Sequence, residues 1–296
     1  MSLTSHLANY SFLKSDKARD KGLVTPSDII RFDNLSYGIN KKWNLLDIYA
    51  PKERVGTLPV IISVHGGAWV YGTKDIYQHY CMSLAKKGFA VINFNYRLAP
   101  HNKFPAQLED INELIKWMYD HATTYHLDTS LTFMIGDSAG AHLLALYCCL
   151  LTNPQYASKF NFTLKDDFCP KAIALNCGVY DVTRVNDQNA NFFNKVTRDF
   201  LGKQNYEEGI QLTNALNYIT KDFPPVHLMT SNGDMLANQA PLMKEKLNEN
   251  NISYEFKIYG DDNNKLMHVF HLDIRNNDAR SCNDEQCNFF KKYIKD

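Results

Sequence analysis

The apolar run Leu131-Thr132-Phe133-Met134-Ile135 ends abruptly in Gly136-Asp137-Ser138-Ala139-Gly140, and the chain continues as Ala141-His142-Leu143-Leu144-Ala145-Leu146. A strand that breaks into Gly-x-Ser-x-Gly and re-emerges as an apolar helix is a strand–turn–helix with a serine at its apex. Such a turn, a nucleophile elbow, holds its central residue in a strained conformation. Small flanking residues let strand and helix approach closely. The serine hydroxyl then stands clear of the sheet at a helix N-terminus, whose dipole favours developing negative charge.

Around this unit the hydrophobic pattern alternates. Short β-branched or apolar runs at Pro59–Val64, Phe89–Phe94, Lys171–Asn176, Val226–Ser231 and Tyr254–Tyr259 predict strands. Segments 76–87, 105–120, 239–250 and 283–294 predict helices between or after them. Residues 35–50 predict a β-hairpin that turns at Asn40-Lys41-Lys42 and stops at Pro51. Strands alternating with helices imply right-handed crossovers and a mainly parallel sheet. Residues 152–170 and 182–222 are longer than a crossover needs, and long insertions at the carboxyl edge of a parallel sheet usually cover the site there. One domain over residues 1–296 is expected, with a core of about 35–181 and 223–296 and a cap from 1–34 and 182–222.

Composition narrows the class of partner. Lys+Arg and Asp+Glu balance at 32 each, which points away from nucleic acid and anionic membranes. The longest apolar run, around 141–151, is too short to span a bilayer. Seven cysteines, an odd count without C-x-x-C spacing, read as thiols in a reducing compartment. With no apolar leader after Met1, a cytoplasmic location is expected.

Acyl transfer requires a nucleophile, a base, a group that orients the base, and donors for an oxyanion. Ser138 supplies the first. His65-Gly66-Gly67-Ala68-Trp69 directly follows the strand Pro59–Val64, and its glycines allow backbone N–H groups to turn into a cavity. One such donor is worth about 2.7–4 kcal/mol of transition-state stabilisation. Alone, this loop reads more readily as an ordinary tight turn around a packed Trp; its combination with the elbow downstream reverses that. An acid and a base are expected in the order Ser, Asp/Glu, His. Asp234 follows the strand ending near Ser231, and His268 lies in the loop after the strand ending near Tyr259. Each in isolation has an ordinary structural explanation, a turn residue or a packed histidine. His271 is a rival base; Asp261 and Asp262 are rival acids that would have to fold back on the loop they share with His268. No His-Glu-x-x-His pair, Cys/His cluster or phosphate-binding glycine loop is present, so neither metal nor cofactor is expected.

Four motifs together carry a resemblance: Leu46-Asp47-Ile48-Tyr49-Ala50-Pro51, His65-Gly66-Gly67-Ala68-Trp69, Asn95-Tyr96-Arg97-Leu98-Ala99-Pro100 with Phe104-Pro105-Ala106 behind it, and Gly136-Asp137-Ser138-Ala139-Gly140. From about residue 40 to the C-terminus the sequence resembles the α/β-hydrolases of the hormone-sensitive-lipase and carboxylesterase group, including bacterial acetyl esterases. The resemblance implies the α/β-hydrolase fold, a mainly parallel central sheet flanked by helices with a small cap. It implies Ser138 as nucleophile, Asp234 in its Asp-x-Leu context and His268 in its His-x-Phe context. It also implies oxyanion donors at Gly67, Ala68 and Ala139, with Gly66 counted in the oxyanion loop for its shape. Ala68 replaces the third glycine usual in that loop; only its N–H is needed, so a somewhat narrower acyl side is expected. Trp69 beside it is the expected substrate contact, and Tyr96–Pro100 is expected to brace the turn below. The implied activity is hydrolysis of small, short-acyl esters, with a small-molecule ester as partner and a homodimer as a possible assembly. An arylformamidase acting on N-formylkynurenine is the nearest alternative, since that group uses a similar loop, often with Tyr where Ala68 stands. A non-catalytic small-molecule receptor on the same fold is the second, and the presence of both Ser138 and His268 argues against it.

Overall fold

The computed structural model describes residues 3–204 and 206–294, so Met1, Ser2 and Asn205 of the expected cap, and Lys295 and Asp296 of the expected core, lie outside the described residues. In chain order the elements are α1 (Leu3–Asp20), β1 (Ile29–Ser36), β2 (Leu45–Pro51), β3 (Leu58–Val64), α2 (Gln78–Ala85), β4 (Ala90–Phe94), α3 (Ala106–Tyr125), β5 (Leu127–Asp137), α4 (Ala139–Thr152), α5 (Pro154–Ala157), β6 (Ile173–Asn176), α6 (Asp187–Leu201), α7 (Tyr206–Leu212), β7 (Val226–Ser231), α8 (Gln239–Glu249), β8 (Tyr254–Tyr259) and α9 (Asn277–Lys291). The strands form one eight-stranded sheet in the order β1-β2-β4-β3-β5-β6-β7-β8. β1 and β2 run antiparallel to their neighbours, and the remaining pairs are parallel.

The strand sequences show why the sheet is covered on both faces. Val60, Ile61, Ile62 and Val64 of β3 are all fully buried, the continuous apolar run of an interior parallel strand. Side chains alternate between faces. Val60, Ile62 and Val64 join a core with Leu108, Ile111, Leu114, Ile115 and Met118 of α3 and the apolar residues of α4. Ile61 joins the opposite core with Tyr80, Cys81 and Leu84 of α2 and Phe289 and Phe290 of α9. The α3 positions recur at three- and four-residue spacing, which gives that helix one apolar face.

Several boundaries differ from expectation, two of them by six residues. Residues 29–34, expected within the cap, form most of β1, and Ile29–Phe32 pair with β2. Their pattern is weak because β1 is an edge strand with much of its length partly exposed. The last helix begins at Asn277, earlier than residue 283. Asn276 caps it by accepting from the N–H groups of Asp278 and Ala279, a side-chain start signal that precedes the apolar pattern.

The parallel strands β3, β5, β7 and β8 all point their carboxyl ends to one edge of the sheet. The loops that leave them carry His65–Trp69, Ser138, Asp234 and His268. Parallel topology therefore gathers residues separated by up to 203 positions into one place.

Candidate active site

Ser138 stands between the last residue of β5 and the first of α4, with φ 51° and ψ −119°. A non-glycine residue held there stores about 1–3 kcal/mol of backbone strain. The surroundings enforce it. A Cβ placed on Gly140 would lie 2.1 Å from the Val64 carbonyl oxygen, so α4 can approach β3 only through a glycine. The Ser138 N–H donates to the Asn176 carbonyl at 2.9 Å, which pins the turn to β6.

His268 Nε2 lies 3.0 Å from Ser138 Oγ, and His268 Nδ1 lies 2.6 Å from Asp234 Oδ1. The Asp234 side chain is fully buried. Thr230 Oγ1 donates to its Oδ2 at 2.7 Å, and the Leu236 N–H to its Oδ1 at 2.9 Å. Burial pulls the Asp234 pKa upward, but hydrogen bonds from His268, the Leu236 N–H and Thr230 outweigh it and hold the carboxyl below its ordinary value. Asp234 is therefore a carboxylate at neutral pH. It fixes the proton of His268 on Nδ1 and leaves Nε2 to accept from the serine hydroxyl. The two loops involved are laced together: Gly233 pairs with Met267, and the Gly233 N–H donates to the Leu266 carbonyl at 2.9 Å.

Gly67 and Ala68 both have positive φ, 116° and 51°. The N–H groups of Val70 and Tyr71 close on the Gly67 carbonyl at 3.1 and 2.9 Å. Gly67, Ala68 and Ala139 border the same cavity as Ser138 and His268, and its volume is about 240 Å³. Ala139, the first residue of α4, has an N–H with no partner within its helix. Gly66 differs: its N–H donates to Tyr77 Oη at 2.9 Å, so it is not a free donor.

The rest of the cavity wall is largely aromatic and aliphatic and comes from separate parts of the chain. α1 supplies Phe12, Ser15 and Asp16, and α6 supplies Phe192 and Phe193. The rings of Phe12 and Phe192 meet edge to face at 6.5 Å. Tyr71 Oη donates to Asp16 Oδ2 at 2.8 Å, and Arg19 donates to the Ile76 carbonyl at 2.5 Å, so α1 is tied to the segment that follows the Gly67 loop.

The BD-FAE family model matches residues 46–247, more than half of the chain. This chain belongs to the BD-FAE family. The probable carboxylic ester hydrolase LipM of Mycobacterium tuberculosis is 29% identical over 209 residues, covering 69% of this chain and 48% of LipM. Esterase LipQ of the same organism is 28% identical over 244 residues, covering 77% of this chain and 56% of LipQ. The chain thus spans about half the length of these relatives. Among solved structures, inhibited Esterase B from Lactobacillus rhamnosis superposes with a TM-score of 0.90 at 24% identity, covering 99% of this chain and 97% of that one. The architecture is the α/β-hydrolase fold, as the sequence motifs implied.

In this BD-FAE member the rival residues take no part in the Ser138–His268–Asp234 hydrogen bonds. The Asp261 carboxylate accepts the N–H groups of Asn263 and Asn264 at 2.8 and 2.9 Å and closes its own exposed turn. Asp262 is exposed on the same turn. His271 is fully buried, with neither ring nitrogen hydrogen-bonded. Trp69 borders the cavity but is itself fully buried. It stacks on Phe200 at 4.7 Å and donates from Nε1 to His142 Nδ1 at 3.1 Å. His142 must then carry its proton on Nε2, which donates to the Thr213 carbonyl at 2.7 Å. Trp69 thereby braces the Gly67 loop against α4 and the segment after α7. Cys177 Sγ, Asp234 and His268 offer ligand atoms within 4.8 Å of one another, but the latter two are already bonded to each other. None of the described helices is long and apolar enough to cross a membrane.

Among the cavity residues that sequence reasoning did not assign to the site are Asp137, Tyr77 and Asp16. Asp137 lies inside the elbow motif, yet nothing in the pattern assigns its side chain a partner. Tyr77 and Asp16 lie in segments whose roles depend on tertiary contact alone.

The buried histidines carry a measurable consequence. Burial pushes His65, His142 and His227 down to about 4, and His271 to about 3, from an ordinary 6.5. Each takes up a proton on unfolding once the pH falls below 6.5, while its folded form stays neutral. Stability therefore declines from pH 6.5 toward 4, by up to about 1.4 kcal/mol per pH unit for each histidine. Urea midpoints measured at pH 7.5 and 5.0 are expected to differ strongly, with the lower at pH 5.0. Equal midpoints would show that these rings are not held neutral in the fold.

Proposed function

We propose that this chain is a serine carboxylesterase that hydrolyses small, short-acyl esters through an acyl-enzyme. The observation that carries the proposal is the hydrogen-bonded series Ser138–His268–Asp234 opening onto a cavity bordered by Gly67, Ala68 and Ala139. Ser138 Oγ attacks the acyl carbon while its proton passes to His268 Nε2. The carbonyl oxygen, now negative, is met by the N–H groups of the Gly67 loop and the α4 N-terminus. Collapse expels the alcohol, which takes the proton from His268. Water, deprotonated by the same ring, then attacks the acyl carbon and releases the acid and the free serine. Asp234 keeps the imidazole in the working tautomer and offsets the charge it gains.

Several further observations support the reading. The matched relatives are named as ester hydrolases, and Esterase B was crystallised with a C4-C4 SN3 tributyrin phosphonate inhibitor. The aromatic wall and the cavity volume of about 240 Å³ favour short acyl groups. In this proposal α1 and α6 act as the cap, with Phe12, Phe192 and Phe193 limiting chain length.

Initial rates on p-nitrophenyl acetate, butyrate and octanoate, and on a formamide matched to the acetate ester, test this. Acetate and butyrate are expected to turn over, with kcat/KM at least about tenfold lower for octanoate. Phe192→Ala is expected to narrow that gap, since one or two methylenes of pocket space are worth about 10–200-fold in discrimination. Preference for octanoate would contradict the short-acyl assignment, and faster cleavage of the formamide than of the ester would replace the ester reading.

A further inference from the structure

Tyr77 joins the two halves of the candidate site through one buried hydroxyl. Its Oη accepts the Gly66 N–H at 2.9 Å and lies 2.7 Å from Asp137 Oδ2. The Gly66 N–H donates to Oη, and Oη–H donates to Asp137 Oδ2. Tyr77 and Asp137 are 4% and 3% exposed. Gly66 immediately precedes the donors at Gly67 and Ala68, and Asp137 immediately precedes Ser138. A Cβ on Gly66 would sit 2.5 Å from Asp137 Oδ2, so the loop and the elbow are in direct contact at this point. The Tyr77 ring is itself held, meeting His65 at 5.8 Å and Tyr80 at 6.4 Å.

We infer that Tyr77 and Asp137 are positioning residues: they form a strut that sets the oxyanion donors at the correct distance from Ser138 Oγ. The inference rests on the ester-hydrolysis reading of the site. Pairing of Val64 with Gly136 aligns the ends of β3 and β5, but both chains then turn sharply and leave the sheet ladder. Catalysis needs amides about 2.7–3.1 Å from an oxygen whose carbon is being attacked by Oγ, so small errors between the two turns are costly. A buried hydroxyl that bonds to both turns removes that freedom. Burial pushes the Asp137 carboxyl up to about 7, and the hydrogen bond from Tyr77 opposes that rise, so losing either partner disturbs the other.

The test uses the full chain as wild type, Tyr77→Phe, Asp137→Asn and the double variant. Active sites are counted with a fluorophosphonate, kcat and KM are measured on p-nitrophenyl acetate, and Ki is measured for an acetyl trifluoromethyl ketone that mimics the oxyanion. Y77F is expected to lower kcat per titrated site by about 10–100-fold with KM within about threefold, and to raise Ki by a similar factor. In the Y77F background D137N should add little, because the two residues act as one unit. Should Y77F fail to fold, D137N alone is expected to show the same direction in kcat and Ki. Unchanged kcat per titrated site, with only fewer sites or a lower Tm, would reduce the strut to a structural role and overturn the inference. Fully additive effects would overturn it as well. Absence of Ser138-dependent turnover in the wild type would instead remove the ester-hydrolysis reading, which separates the two failures.

Discussion

Replacing Ser138 with Ala is expected to lower kcat on p-nitrophenyl acetate by about 10⁵–10⁶-fold, the scale seen when a serine nucleophile is removed from a working triad. Little else should change. Ala tolerates the backbone at this position no worse than Ser does. The turn is also held by contacts that do not involve the hydroxyl: the Ser138 N–H to Asn176 bond and the close approach of Gly140 to Val64. Stability should therefore stay within about 0.5 kcal/mol of wild type. Steady-state kinetics beside a urea unfolding curve checks both halves. Residual activity within tenfold of wild type, on a well-folded variant, would remove Ser138 from the chemistry.

Asp234→Asn is expected to cost about 10⁴-fold in kcat while preserving the fold. The reason lies in proton placement. As a carboxylate, Asp234 accepts from His268 Nδ1 at 2.6 Å, from the Leu236 N–H and from the Thr230 hydroxyl. An amide in its place can turn its NH₂ toward Nδ1 and stabilise the opposite tautomer, in which Nε2 carries the proton and cannot accept from Ser138. The stability effect has a defined pH range. A carboxyl held below its ordinary value stabilises the fold above that ordinary value, and this contribution is lost as the pH falls through the folded pKa. D234N should thus lose stability relative to wild type at neutral pH and lose that difference in strong acid. A variant with kcat within tenfold of wild type would show that another group orients His268.

What could be read from the sequence follows a physical division. That Ser138, Asp234 and His268 meet was legible because each lies in a loop that follows a strand, and a parallel sheet sends the ends of such strands to one edge. Local chemistry was also sufficient at the elbow, where Gly140 has no room for a side chain. Contacts made across the fold were not legible. The Gly66 N–H belongs to Tyr77, eleven residues away just before α2, and no spacing rule links them. Phe12 and Phe192 meet over the cavity although they sit at opposite ends of the expected cap. Residues 29–34 look irregular because an edge strand buries little, and the start of α9 is set by the Asn276 side chain before any apolar residue recurs. Trp69 illustrates a subtler limit: its position beside the Gly67 loop was evident, but its burial against Phe200 and His142 depends on α6 and the segment after α7.

The most direct measurement is covalent labelling of the intact protein with a fluorophosphonate, followed by mass spectrometry of the digested adduct. The account predicts a single phosphonyl group on Ser138, its formation slowed severely in His268→Ala and absent in Ser138→Ala. A wild-type protein that stays unlabelled, or one that is labelled equally in Ser138→Ala, would contradict it.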